Sequence, residues 1–358
     1  NMKIKVLKAF NGDSILLSFK DGEIDRNILI DGGVEGTYCD SENNSGELKV
    51  EIDNIKNRGE IIDLLILTHI DNDHICGLLK WFEMDKDASK FIKNVWFNSG
   101  KRIAEYLKEP ENSDLSVGLK IFKNHDTGVN EAIDFEEYLH KNKLWDGKIV
   151  IQGQELKEHG INMHVLSPDE AQLKKLLKEY KKVTGDRAYT AAKEKDWDIN
   201  IKDFILEEDK PGFNFVQDSS VKNGSSISFI LSIKGKSYLF LGDSHPKGIA
   251  NYLKSLGHSK EKPLKVELFK VSHHGSKSNT NIELLEIIKA DNYIISTDSS
   301  GHNHPNKRTL ARIMKENPKA TFHFNYKNVK ESVFSKQDFL DYKDFKINVI
   351  SELTIKNE

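Results

Sequence analysis

The chain has 358 residues, 37% of them apolar and 30% charged, with a formal net charge of −3. That length suits one large α/β domain or two smaller ones, and the near-neutral balance excludes a global field that would draw the whole surface onto nucleic acid. Two cysteines, Cys39 and Cys76, are too few for a disulfide framework and fit a reducing compartment.

Residues 3–8 alternate as a strand does and are broken by Asn11-Gly12-Asp13, so the N-terminal run reads as strand and turn, not as an export signal. No run approaches the roughly 18 apolar residues that span a bilayer. The expectation is a cytoplasmic protein with no membrane partner. Residues 14–19 and 27–30 read as strands, the second running into Asp31-Gly32-Gly33. Residues 61–67 are almost wholly apolar, as in a strand buried on both faces, and a helix over 76–82 and a strand over 91–97 follow.

From 101 to 220 the composition turns rich in Lys and Glu and helical in pattern, which suggests a largely helical insertion over the site, with short strands near 148–151 and 162–166. The helix at 170–182 sets Leu173, Leu176, Leu177 and Tyr180 toward a core. Lys174, Lys178, Lys181 and Lys182 form a face that is either solvated or a track for a phosphate backbone. Strands return at 227–233 and 237–241, paired across Lys234-Gly235-Lys236. Helices at 246–256, 281–290 and 306–316 alternate with strands at 266–271 and 293–296. Two blocks of strands, each flanked by helices, suit a four-layer αββα sandwich spanning residues 2–355 as a single domain.

The densest chemistry follows the strand at 61–67, where His69, Asp71, Asp73 and His74 fall within six residues. Nitrogen and oxygen donors without a thiolate suit one or two divalent metals. A strand ending in a tight turn aims His69 and Asp71 at one point, and Asp73 and His74 at a neighbouring one. Asp243 ends a very apolar strand, where a carboxylate needs a cation to answer it. His273-His274-Gly275-Ser276 ends another strand. On a continuing strand the two rings would point to opposite faces, so one is expected to reach the site. The sequence leaves open which. His273 is the favoured ligand, and His274 is a candidate proton donor.

His69-x-Asp71-x-Asp73-His74 resembles the central motif of the metallo-β-lactamase superfamily, in the variant with Asp at the second histidine position. His273-His274-Gly275-Ser276, the later His304-Pro305 and the earlier Asn223-Gly224-Ser225-Ser226 resemble motifs of its ComEC-type, competence-associated branch. The resemblance implies two divalent ions, Zn²⁺ or Mn²⁺, bridged by Asp243. One would be held by His69, Asp71 and His273, and the other by Asp73, His74 and His304. It also implies Asp31 as a hydrogen-bond acceptor behind the metal loop, and Asn223, Ser226, Ser276 and Lys277 as substrate contacts. The catalytic set is then Asp73, His273 and His274, acting with metal-activated water.

No convincing histidine stands upstream of Asp243 where other branches have one. His125, His140, His159 and His164 all read as surface residues. The implied activity is a metal-dependent phosphodiesterase, foremost a nuclease with nucleic acid as its partner. Hydrolysis of a small phosphocholine-like diester or other ester is the enzymatic alternative, and a non-catalytic metal-binding sensor or scaffold the alternative from another class.

Overall fold

The structure, a computed structural model, describes residues 1–109, 128–158, 160–181 and 195–356. The first half carries β1 (Met2–Val6), β2 (Ile15–Asp21), β3 (Ile24–Ile30), α1 (Glu35–Tyr38), α2 (Glu47–Asn57), β4 (Leu64–Ile66), α3 (Asn72–Met84), β5 (Val95–Trp96) and α4 (Gly100–Tyr106). There follow α5 (Val129–Lys141), β6 (Glu155–Glu158), β7 (Ile161–Ser167), α6 (Glu170–Lys181), α7 (Ile201–Glu208), α8 (Val221–Gly224), β8 (Ser228–Ile233) and β9 (Lys236–Phe240). The rest comprises α9 (Pro246–Ser255), β10 (Leu264–Lys270), α10 (Ile282–Glu286), β11 (Ile288–Ile295), α11 (Lys307–Glu316), β12 (Thr321–Phe324), α12 (Lys327–Val333), α13 (Lys336–Asp341), β13 (Lys346–Val349) and β14 (Glu352–Ile355).

The strands form a six-stranded sheet, ordered β14-β1-β2-β3-β4-β5, and an eight-stranded sheet, ordered β13-β12-β11-β10-β9-β8-β7-β6. Their inner faces meet through Ile4, Leu17, Ile28 and Ile66 on one side and Met163, Phe229, Leu231 and Leu268 on the other. Ile52, Trp81, Phe135 and Tyr180 cover the outer face of the first sheet, and Phe204, Leu253, Leu284 and Leu310 that of the second. The architecture is the αββα sandwich. Central strands such as Leu64–Ile66 are buried on both faces, so polar residues appear only where they end. Strands β3 to β5 run parallel, as do β9 to β13, and ligand sites in such sheets gather at carboxyl ends.

Several local expectations change. Helix α10 stops at Glu286, because Ile288 and Ala290 pair with Leu264 and Val266 as the start of β11. Residues 148–151 are not a strand: the Asn98 side chain takes both hydrogen bonds of Val150, at 2.8 Å each, in place of a neighbouring strand. The 101–220 stretch is built into both layers. Its β6 and β7 extend the eight-stranded sheet, and α4, α5 and α6 pack on the first core. The leucine face of α6 is buried, while Lys174 pairs with Glu170 and Lys181 with Glu109, as on a solvated face. Lys182, His125 and His159 lie outside the described residues. Among the described residues no helix is long and apolar enough to cross a membrane.

Phe229 is fully buried between the sheets. Phe229→Ala should therefore cost about 3–5 kcal/mol in denaturant unfolding; a loss below about 1 kcal/mol would contradict a close-packed inter-sheet core.

Candidate metal centre

The loop after β4 delivers His69 and Asp71, and the first turn of α3 delivers Asp73 and His74. Asp71 occupies the N-cap position of α3, but its carboxylate makes no cap hydrogen bond and faces the site instead. The β1–β2 turn lies against this loop. A Cβ on Gly12 would stand 1.9 Å from the Asp73 carbonyl, so only glycine permits that approach. Across the seam, Asp243 follows β9, with its backbone N–H donating to Ser226 Oγ at 3.1 Å.

Four imidazoles converge on one oxygen. Asp243 Oδ2 lies 3.6 Å from His69 Nε2, 3.5 Å from His74 Nε2, 3.7 Å from His273 Nε2 and 3.8 Å from His274 Nε2. Both members of the histidine pair reach the site, contrary to the alternation expected of a strand. After β10 the chain turns at 272–275, with His273 and His274 at φ 47° and 53°. That left-handed turn puts both rings on one side.

Each ring is held from behind through Nδ1. His74 Nδ1 is 2.8 Å from Asp31 Oδ2, and the same carboxylate accepts from the Thr68 N–H and hydroxyl at 2.7 Å each. His274 Nδ1 is 2.9 Å from the Ser296 carbonyl, and His273 Nδ1 is 2.9 Å from Asn279 Oδ1. His69 Nδ1 is 3.1 Å from the Thr68 hydroxyl. With Nδ1 engaged in each ring, Nε2 is presented inward.

Burial alone would raise the Asp243 carboxyl, but His273, His74, His274 and His69 hold it well below the usual carboxylate range. Burial opposes charge on His74, yet Asp243, Asp31 and Asp73 push it well above its ordinary value. For His274, Asp13 and Asp243 likewise overcome burial and push it up to about 10. His69 moves the other way, lowered by burial and by His74.

The donors fit a divalent cation. Nε2 of His69, His74 and His274, one oxygen of Asp243 and Nδ1 of His304 are buried without a hydrogen-bond partner. A divalent cation among the three Nε2 atoms and Asp243 would satisfy those four. Donor atoms of Asp13, His74, Asp243 and His274 lie within 4.8 Å of one another, and Asp73 Oδ2 is 3.5 Å from His274 Nε2.

The structure thus brings together His69, Asp71, Asp73, His74, Asp243, His273 and His274. His274, and not His304, stands beside Asp73 and His74. The His304 ring packs 5.0 Å from that of His273 and is held well below its ordinary pKa by burial and by the neighbouring histidines. Asn223 donates to Asp218 at 2.8 Å. Ser276 is buried, with Oγ accepting from the Ser278 N–H, and the Lys277 N–H donates to Asn306. His140 pairs with Glu136, and His164 with Tyr252 and Glu155, away from the centre.

Sequence reasoning passed over Asp13, Lys270, Asp218 and Asn279. Lys270 and Asp13 form a buried ion pair behind His274, whose Nδ1 is 3.4 Å from Asp13 Oδ1. A lysine in the apolar strand β10 was the available signal. Asp218 takes hydrogen bonds from Asn223 and Asn279 and lies 3.6 Å from His273 Nδ1, with nothing in its local sequence to mark it.

No family model matches the chain. ComE operon protein 3 of Bacillus subtilis is 26% identical over 141 residues, which are 36% of this chain and 17% of that protein. Among solved structures, the metallo-β-lactamase fold protein YhfI of Bacillus subtilis is 10% identical, with a TM-score of 0.43, covering 98% of this chain and 95% of that one. CmlA, a diiron β-hydroxylase of Streptomyces venezuelae, is 11% identical with a TM-score of 0.42, covering 99% of this chain and 54% of that one. The two facing sheets, their helical layers and the ligand loops at their shared edge form an αββα sandwich, the architecture that the resemblance to the metallo-β-lactamase superfamily implies. Within it the chain resembles the ComEC-type branch, and the similarity to ComE operon protein 3 supports that placement.

Ligand histidines must be neutral, whereas the neighbouring carboxylates push His74 well above its ordinary value and His274 up to about 10. Loading should therefore expel protons, up to one from each ring, and apparent affinity should climb as pH rises from 6.5 toward the raised values. Calorimetry of Zn²⁺ binding in buffers of different ionisation enthalpy checks this. Proton uptake, or affinity falling over that range, would contradict it.

Proposed function

We propose that the protein is a metal-dependent hydrolase of phosphodiesters, acting on nucleic acid. The observation that carries the metallohydrolase reading is the set of buried, unpartnered donor atoms gathered around Asp243 at the shared edge of the two sheets. Divalent ions held there would supply Lewis acidity and activate water near neutral pH. His69 and Asp71 with Asp243 form one half of the centre, and Asp73, His74 and His274 with Asp243 form the other. Asp31, Thr68, Asn279 and the Ser296 carbonyl hold the imidazole rings in place, which preorganises those ligands.

On the loop before α11, the His304 ring packs 5.0 Å from that of His273, and the His302 ring 5.9 Å from that of His304. The choice of nucleic acid rests on the ComEC-type resemblance. The lysine face of α6 adds no support, because Lys174 and Lys181 are engaged by glutamates. Asp71 in place of a third histidine makes that half of the centre harder, which suits Mn²⁺ beside Zn²⁺.

The test is turnover by chelator-stripped protein reloaded separately with Mn²⁺ or Zn²⁺. Substrates are single- and double-stranded DNA, RNA and bis-p-nitrophenyl phosphate, with Asp243→Asn as control. Polymer cleavage that the variant loses is expected. Cleavage of the small diester alone would replace the nuclease reading with the small-diester one. No turnover by metal-loaded protein would favour a sensor or scaffold.

A further inference from the structure

The two halves of the centre differ in the cations around their carboxylates, and the difference centres on Lys222. Its side chain, on the short helix α8, is 13% exposed, and Nζ lies 3.3 Å from Asp71 Oδ1. The ammonium sits against residue 128, where a Cβ would stand 3.2 Å from Nζ; Gly128, at φ 105°, leaves the space open. The other oxygen of Asp71 is 3.8 Å from His69 Nε2. A fixed cation therefore already answers the one carboxylate that belongs to the His69 half alone.

In the opposite half the lysine stands one step back: Lys270 pairs with Asp13, and among the described residues neither Asp73 nor Asp243 is ion-paired to a lysine. Among the described residues, the one convergent group of potential ligands is Asp13, His74, Asp243 and His274, all buried, with Lys270 engaged by Asp13 behind them. An ion entering there meets Asp73 and Asp243 without breaking an ion pair to lysine. An ion entering the His69 half must draw Asp71 away from Lys222 and then bear a unit positive charge at close range, in a partly buried setting where screening is weak.

We propose that Lys222 is a built-in competitor for the first metal position, so that the centre loads in a fixed order. The tight ion takes Asp73, His74, Asp243 and His274, and the weak, exchangeable ion takes His69, Asp71 and Asp243. This inference rests on the metal-binding part of the proposed function and is independent of the substrate.

The experiment is a Mn²⁺ titration of the full chain, stripped of metal, with free Mn²⁺ counted by electron paramagnetic resonance and bound metal by elemental analysis. The parent should bind one equivalent tightly and a second weakly. Lys222→Met, which keeps the apolar stem and removes the charge, should tighten the second equivalent by about tenfold or more and leave the first unchanged. Lys222→Arg should behave as the parent. Lys222→Gln carries the same test should the Met variant fail to fold. Two equivalents of equal affinity in the parent, or a second equivalent that charge removal leaves unchanged or weakens, would overturn the proposal while leaving the metallohydrolase reading intact. No bound Mn²⁺ in parent or variants would overturn both.

Discussion

One buried carboxylate organises this molecule. Asp243 stands at the seam of two apolar sheets, where an ionised group is costly unless cations and hydrogen bonds surround it. The chain answers with four imidazole nitrogens around a single oxygen, drawn from the loop after β4, the start of α3 and the turn after β10. That convergence requires the carboxyl ends of β4, β9 and β10 to meet at one edge, which is what packing the sheets face to face achieves. Here the fold and the site express one constraint.

Behind the rings lies a second set of commitments. Asp31, Ser296, Asn279 and Thr68 each occupy an Nδ1, so the inward nitrogens are selected by hydrogen bonds and not left to chance. Lys270 and Asp13, both buried, brace His274 from the far side. Breaking such a pair from one side strands a charge in the core, so stability and site geometry are tied together. Lys222 extends the same logic to Asp71, with the difference that its pairing is on the path of an incoming ion.

Much of this was legible in the sequence where the signal was local. The apolar run ending in His69, Asp71, Asp73 and His74 announced a strand and a ligand loop, and the strands around Lys234-Gly235 form the expected hairpin, with both turn residues at positive φ. The alternation of strand blocks and helices pointed to the sandwich. What stayed hidden depends on distance along the chain or on backbone geometry. Asp13 and Lys270 are 257 residues apart, and neither signals the other. The adjacency of His273 and His274 argued for opposite faces until the left-handed turn put both rings inward. Composition made 101–220 look peripheral, whereas β6 and β7 complete a sheet by pairing that only the register reveals.

The most direct test of the account is anomalous scattering from crystals loaded with Zn²⁺. A peak is expected at the seam, about 2.0–2.2 Å from His74 Nε2, His274 Nε2 and an Asp243 oxygen. Zinc found only at surface histidines, with the Asp243 seam empty, would contradict it.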